Sequence, residues 1–276
     1  MTTAAQPRIV AAPLRLSTGT GTFALRLATG FVLLLIWEGL VRWLAPSYVA
    51  RPTGVIDAIP RVVRNESTPL TALAGGFWPS VETTLLAVLE GLAIGVVFGV
   101  IVGLAMGRLR DVDSGLRIYV NAFFALPTIA VLPLMTLWFG YSATARLAII
   151  IFGAFMPVCL NVYDGVRRLP TEFIEVSKTF HARWWNVWFG IALPASMPYL
   201  LAGLRLALGR ALVAAVVAEY LLALKGLGFY ILVTSRAFDQ NASVVGVLVL
   251  MIMAVSLNSI VDVATRQFLP WFRRSE

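Results

Sequence analysis

Charged side chains are scarce in this chain, and a few of them stand inside long apolar runs. The run from Tyr199 to Leu224, YLLAGLRLALGRALVAAVVAEYLLAL, holds Arg205, Arg210 and Glu219. Charges in hydrocarbon are costly, so these three are expected to face a bundle interior, a water-filled cavity or a partner charge. Substrate contact is one role open to them. Structural ion pairing, with Glu82 or Glu90, and a helix-capping contact are the alternatives. A second apolar run, residues 243–268, carries Ser256, Asn258 and Ser259, polar groups suited to joining helices or lining a path. Enzyme chemistry lacks a constellation. His181 is the single histidine, so no histidine pair exists to hold a metal. Ser256 and Asn258 have no base at useful spacing, and Asp111 with Asp113 read as solvated turn charges in a short basic loop. No G-x-x-x-x-G-K-[ST] loop is present, so this chain is not expected to bind ATP that way.

The elements that must position these residues are greasy. Of 276 residues, 59% are hydrophobic and 13% charged, against about half and about a quarter in a soluble domain. The fold class that follows is an all-α polytopic membrane protein. Six stretches are long enough to cross a hydrocarbon core of about 30 Å: residues 24–44, 80–107, 116–139, 145–165, 195–223 and 243–268. Residues 1–22 read as a flexible cytoplasmic tail and 23–272 as one transmembrane domain. The net charge of +8 lies mostly between the apolar runs, which marks it as topogenic charge and not as a nucleic-acid surface. Counting basic residues puts both termini in the cytoplasm. The lone Cys159 excludes a disulfide framework within the chain.

Two of the six stretches carry strong backbone signals. Gly91, Gly95, Gly99, Gly103 and Gly107 repeat every fourth residue in the second, forming a smooth ridge for close helix approach. Which helix meets it is not readable. The third carries Pro127 and Pro133, which are expected to kink the helix beside Thr128. A pathway wall or a packing kink fits equally well. In the loop from Pro46 to Pro79, Pro52-Thr53 can start a short amphipathic surface helix.

Between the fourth and fifth stretches lies the longest polar interruption of the second half, Leu169 to Pro198. A helix over about 171–183, capped by Thr171, places Glu172 and Glu175 at its positive end. It sets Phe173, Val176 and Phe180 on one face, with Glu175 and Lys178 together on another. It is too short to span a bilayer, and Trp184 and Trp185 follow it.

Glu175-Val176-Ser177, followed at the proper distance by Ile191, Leu193 and Pro194, resembles the EAA loop of ABC importer permeases. Val176 and Ser177 replace two alanines. His181 stands where the family has a glycine, whose use is a left-handed turn that histidine enters less easily. The likeness extends from about residue 30 to 270. It includes Trp37-Glu38 and Pro52, the glycine-rich second stretch, and Ala125-Leu126-Pro127. It continues through Leu132-Pro133-Leu134, Leu137 to Gly140, GLRLALG at Gly203 to Gly209, Ala218-Glu219, and GLGFYI at Gly226 to Ile231. Together these resemble the permease subunits of the nitrate, sulfonate, taurine and bicarbonate group.

That resemblance implies the type I ABC importer permease fold, with six transmembrane helices and a cytoplasmic coupling helix. It implies a second permease copy, by default identical, and two cytoplasmic ABC ATPase subunits that bind the ATP and Mg. It also implies an extracytoplasmic binding protein that delivers a small anionic or polar organic solute. The coupling helix would dock the ATPase through Glu172, Phe173, Glu175, Val176, Ser177, Lys178, Phe180 and His181. Pro127, Thr128, Pro133, Arg210, Glu219 and Asn258 are the candidate pathway residues. The chain would sit in the cytoplasmic membrane among lipid, with no cofactor, metal or catalysis of its own. No basic residue adjoins Pro127 or Pro133 in sequence, so aromatic acids, pyrimidine precursors and flavins stay open as substrates. A channel or an ion-gradient-driven transporter is the alternative, and that reading expects two repeated halves with matching broken helices.

Overall fold

The computed structural model describes residues 20–44, 49–66 and 69–268, and among them every regular element is a helix. Most of the 1–22 tail lies outside the described residues. Its last three residues already belong to the first helix, α1 (Thr20–Leu44). The others are α2 (Pro52–Val63), α3 (Pro69–Leu73), α4 (Phe77–Arg108), α5 (Arg110–Ala125), α6 (Thr128–Phe139) and α7 (Ala143–Arg167). Then come α8 (Thr171–Thr179), α9 (Trp184–Val187), a π-helical turn at Trp188–Ala192, α10 (Leu193–Leu222), α11 (Leu227–Arg236) and α12 (Gln240–Phe268).

The chain divides into two compact units, Met1–Gly54 and Val55–Glu276. In the first, Glu38 links the Trp37-Glu38 and Pro52-Thr53 signals. Its carboxylate accepts the backbone N–H of Thr53 at 3.1 Å and the Thr53 hydroxyl at 3.0 Å, where α2 begins. Arg42, one turn along α1, completes the knot.

In the second unit α7 is the central post. The glycine ridge of α4 packs along it. A Cβ built at Gly91 would collide with Ile150, at Gly95 with Ala154, at Gly99 with Val158, at Gly103 with Val162 and at Gly107 with Val166. Both rows advance by four and rise together, so α4 and α7 run parallel. A neighbouring side of α7 receives α10, which also touches α4. Here the order is reversed: Gly165 lies against Tyr199, Asn161 against Gly203, and Gly153 against the Arg210 backbone. These helices are antiparallel.

Parallel α4 and α7 settle a question of topology. Among the described residues five helices are long and apolar enough to cross a membrane, and α5 with α6 form a pair bent by 105°. The chain leaves α4 at one end of the bundle and must enter α7 at the other. The bent pair therefore makes one net crossing, which brings the number to six. The prolines do not act alike. The chain breaks at Leu126–Pro127, both extended (ψ 133° and 122°), as the residue before a proline prefers. Pro133 lies inside α6 without breaking it. The expected kink is thus a sharp break at one proline only. The first half, α5, also starts at Arg110, six residues before the expected span.

Candidate functional site

Three clusters of the second unit hold the residues singled out above. The first is the segment at the C-terminal ends of α4 and α7. Phe173, Val176 and Phe180 of this segment are exposed, at 57%, 54% and 80%. Glu172 and Glu175 are exposed as well, while Ser177 is buried beneath α8. The side chains of Thr171, Lys178 and Trp184 lie outside the described residues. Thr171 is the first residue of α8 and not its cap position. The helix stops at His181, whose φ is +49°. The Ala182 N–H reaches back to the Ser177 carbonyl at 2.9 Å, the 6→1 bond of a Schellman cap. Histidine therefore takes the left-handed conformation expected of the family's glycine. Beyond it, Trp185 and Phe189 meet edge to face at 4.9 Å and are both exposed. A groove of about 320 Å³ beside α8 is lined by Leu169, Phe173, Gly190, Ile191, Pro194 and Ala195.

The second cluster sits at the opposite end of the bundle. Glu219 is completely buried. Its carboxylate receives the Thr84 hydroxyl at 2.8 Å, the Gly228 N–H at 3.0 Å and Arg146 Nη1 at 3.2 Å. Thr84 in turn accepts the Leu227 N–H at 2.8 Å, and Arg146 donates to the Lys225 carbonyl at 3.0 Å. One carboxylate thus ties α4, α7, α10 and the start of α11. The Gly-Leu-Gly sequence has a direct reason. Gly226 has φ +151° and a Cβ there would strike the Glu219 carboxylate, while a Cβ at Gly228 would strike the Val216 carbonyl.

The third cluster is the break between α5 and α6. Arg210 of α10 lies over the Phe124 ring, 4.1 Å from its centre, and Nη1 reaches the Phe124 carbonyl at 3.4 Å. Thr128 follows the break, half-buried. Its Cγ2 and the Arg210 carbonyl both lie 3.5 Å from the point a Cβ on Gly153 would occupy. Asn258 is not part of this group: its amide bonds the Ala254 carbonyl one turn back on α12.

The profile described as "Binding-protein-dependent transport system inner membrane component" matches residues 95–274. The chain belongs to that family.

Named relatives of this inner membrane component agree. It is 29% identical to the probable ABC transporter permease protein of Haemophilus influenzae over 240 residues, covering 86% of this chain and 94% of that one. It is 27% identical to the taurine transport system permease protein TauC of Escherichia coli, covering 90% and 89%. It is 28% identical to the putative aliphatic sulfonates transport permease protein SsuC of Bacillus subtilis, covering 72% of each. Among solved structures, an inward-facing MetNI methionine ABC transporter chain matches with TM-score 0.57 and 17% identity, over 77% of this chain and 98% of that one. That likeness shows the fold, the type I importer permease fold expected above.

Two ion-pair expectations for this family member need correction. Glu219 pairs with Arg146, and Arg205 with Asp262 of α12 at 2.8 Å; neither Glu82 nor Glu90 serves. Asp113 is no solvated turn charge. It sits in the first turn of α5, largely buried, 3.2 Å from Arg167, whose other contact is the Tyr163 hydroxyl at 2.7 Å. Arg146 was the missed residue. Its signal was a lone arginine at the second position of the 145–165 apolar stretch, where a charge needs an acid partner.

Proposed function

We propose that this chain is the translocating subunit of an ATP-driven importer and that α8 is its foot on a cytoplasmic ATPase. The observation that carries this is the exposure of Phe173, Val176 and Phe180 together, on a helix too short to span. An apolar face flanked by Glu172 and Glu175 fits a groove on a protein partner. The end of the bundle bearing α8 also carries Arg108, Arg110, Arg167, Arg168 and Arg183. By the positive-inside tendency that end faces the cytoplasm, and both termini follow. The opposite end, with α11 and the Glu219 knot, then faces the binding protein. Glu219 acts as an internal staple in this reading, and the break at Pro127 with Thr128 and Arg210 lines the path. A second copy of the chain completes the channel, and two ATPase subunits supply the ATP and Mg sites.

Nucleotide-driven closure of the ATPases would move α8. The chain joins α8 directly to α7, and the Arg167–Asp113 pair that ties α7 to α5 would carry that motion to the break, as in rocking of rigid units. Relatives named for taurine and aliphatic sulfonates make a small sulfonate the first solute to try. Glu175→Lys is expected to abolish substrate-stimulated ATP hydrolysis by the reconstituted complex while membrane insertion stays normal. Unchanged stimulation in that variant removes the docking role. Calorimetry of the partner binding protein with taurine and alkanesulfonates identifies the ligand, and uptake indifferent to ATP restores the ion-gradient alternative.

A further inference from the structure

Helix α10 carries three charges, and two of them are neutralised within the chain: Arg205 by Asp262 and Glu219 by Arg146. Arg210 is different. Among the described residues no carboxylate lies within ion-pair distance of it; its partners are a ring face and one carbonyl. It stands twelve residues before the end of α10 at Leu222 and seventeen after its start at Leu193. At 1.5 Å per residue those distances are about 18 and about 25 Å, too far for an arginine to snorkel to either surface. Half-buried at that depth, its remaining surface meets hydrocarbon, water or another charge. The first is the costly case. Its guanidinium lies on the last turn of α5, and its backbone carbonyl and Thr128 both approach Gly153, so the two sides of the only sharp break among the described crossings meet α10 near this residue.

We infer that Arg210 is the charge selector of the pathway: its guanidinium faces a water-filled passage at the α5–α6 break and favours anionic solutes there. The inference rests on the reading of the chain as an importer permease and names the substrate class that reading leaves open. The Phe124 contact has its own part. The ring holds the guanidinium in place without cancelling its charge, which a carboxylate would do. The sequence alone showed no basic residue beside Pro127, because Arg210 arrives from a helix more than eighty residues further on.

The test uses the permease–ATPase complex in proteoliposomes, in a Cys159→Ala background with Thr128→Cys as reporter. The probes are two thiol reagents of similar size, the anionic sulfonatoethyl and the cationic trimethylammonioethyl methanethiosulfonates, each normalised to its rate on a free thiol. With Arg210 present the anionic reagent is expected to react about tenfold faster or more, as a single fixed charge nearby dictates. Arg210→Gln should bring the ratio close to one, and Arg210→Lys should keep most of the preference. Arg210 serving only to pin the break gives similar ratios in all three. A reporter unreactive to both reagents shows that no water reaches the site. Either result overturns the inference. ATPase co-purification and ATP hydrolysis, measured on the same preparations, show whether the importer reading itself has failed.

Discussion

The two ends of the bundle are built on opposite principles. At the Glu219 end, the buried carboxylate is met by donors from three other segments, and the turn glycines leave no room for a Cβ. At the α8 end, three large apolar side chains face outward and the turn is made by a histidine in a left-handed conformation. The first end is complete within one chain. The second leaves an apolar face uncovered within the chain, which is what the proposed ATPase contact requires. Between them the α4–α7–α10 packing is a stiff connection, because glycines on α4 and α10 bring backbones within reach of each other. A fixed end, a stiff shaft and an unfinished foot are the parts that a subunit driven from outside requires.

The largest expected effect breaks the finished end. Glu219→Ala leaves Arg146 uncompensated and Gly228 without its acceptor, and is expected to cost about 3–5 kcal/mol. Thermal unfolding in detergent would show it as loss of the folded permease, with Glu219→Gln much milder. A midpoint unchanged by the alanine would mean the knot is not structural. Next comes the shaft. Gly103→Leu places a side chain against the Cys159 carbonyl and Val162 and should cost about 1–3 kcal/mol or more by overpacking. Gly115→Leu, where nothing lies within 4 Å, is the control and should leave the unfolding midpoint nearly unchanged.

At the foot the effects on stability shrink while those on coupling grow. His181→Val forces a β-branched residue into positive φ, at about 1–2 kcal/mol locally, and should lower stimulated ATP hydrolysis. His181→Gly should preserve or raise it. Smallest in folding terms is Phe180→Asp, an exposed change worth within about 0.5 kcal/mol of stability. It should nevertheless release the ATPase during purification. Equal loss of stability at both ends would erase the distinction between them.

Much of this was legible beforehand, for identifiable reasons. The four-residue glycine period of α4 and the amphipathic start of the segment at 171 are local features, readable from spacing alone, although the helix ends at Thr179 and not near 183. The helix predicted from Pro52-Thr53 also forms, because Val55, Ala58 and Val62 repeat on one buried face. What escaped depended on distant chain. Pro127 and Pro133 look equivalent in sequence, yet only Leu126–Pro127 opens into extended backbone. Arg146 could not be paired from sequence, since its partner lies 73 residues away. The helix α11 was hidden inside a loop. Its start is held by Thr84 and Glu219, which no reading of GLGFYI by itself reveals.

The central claim concerns where the power stroke enters, and it can be tested by contact. A photoreactive residue placed at Phe180, in cells making the complete transporter, is expected to crosslink to the cytoplasmic ATPase subunit. The same residue at Leu137, exposed near the end of α6, should not. A Phe180 probe that labels only lipid, or a protein outside the cytoplasm, would contradict the account.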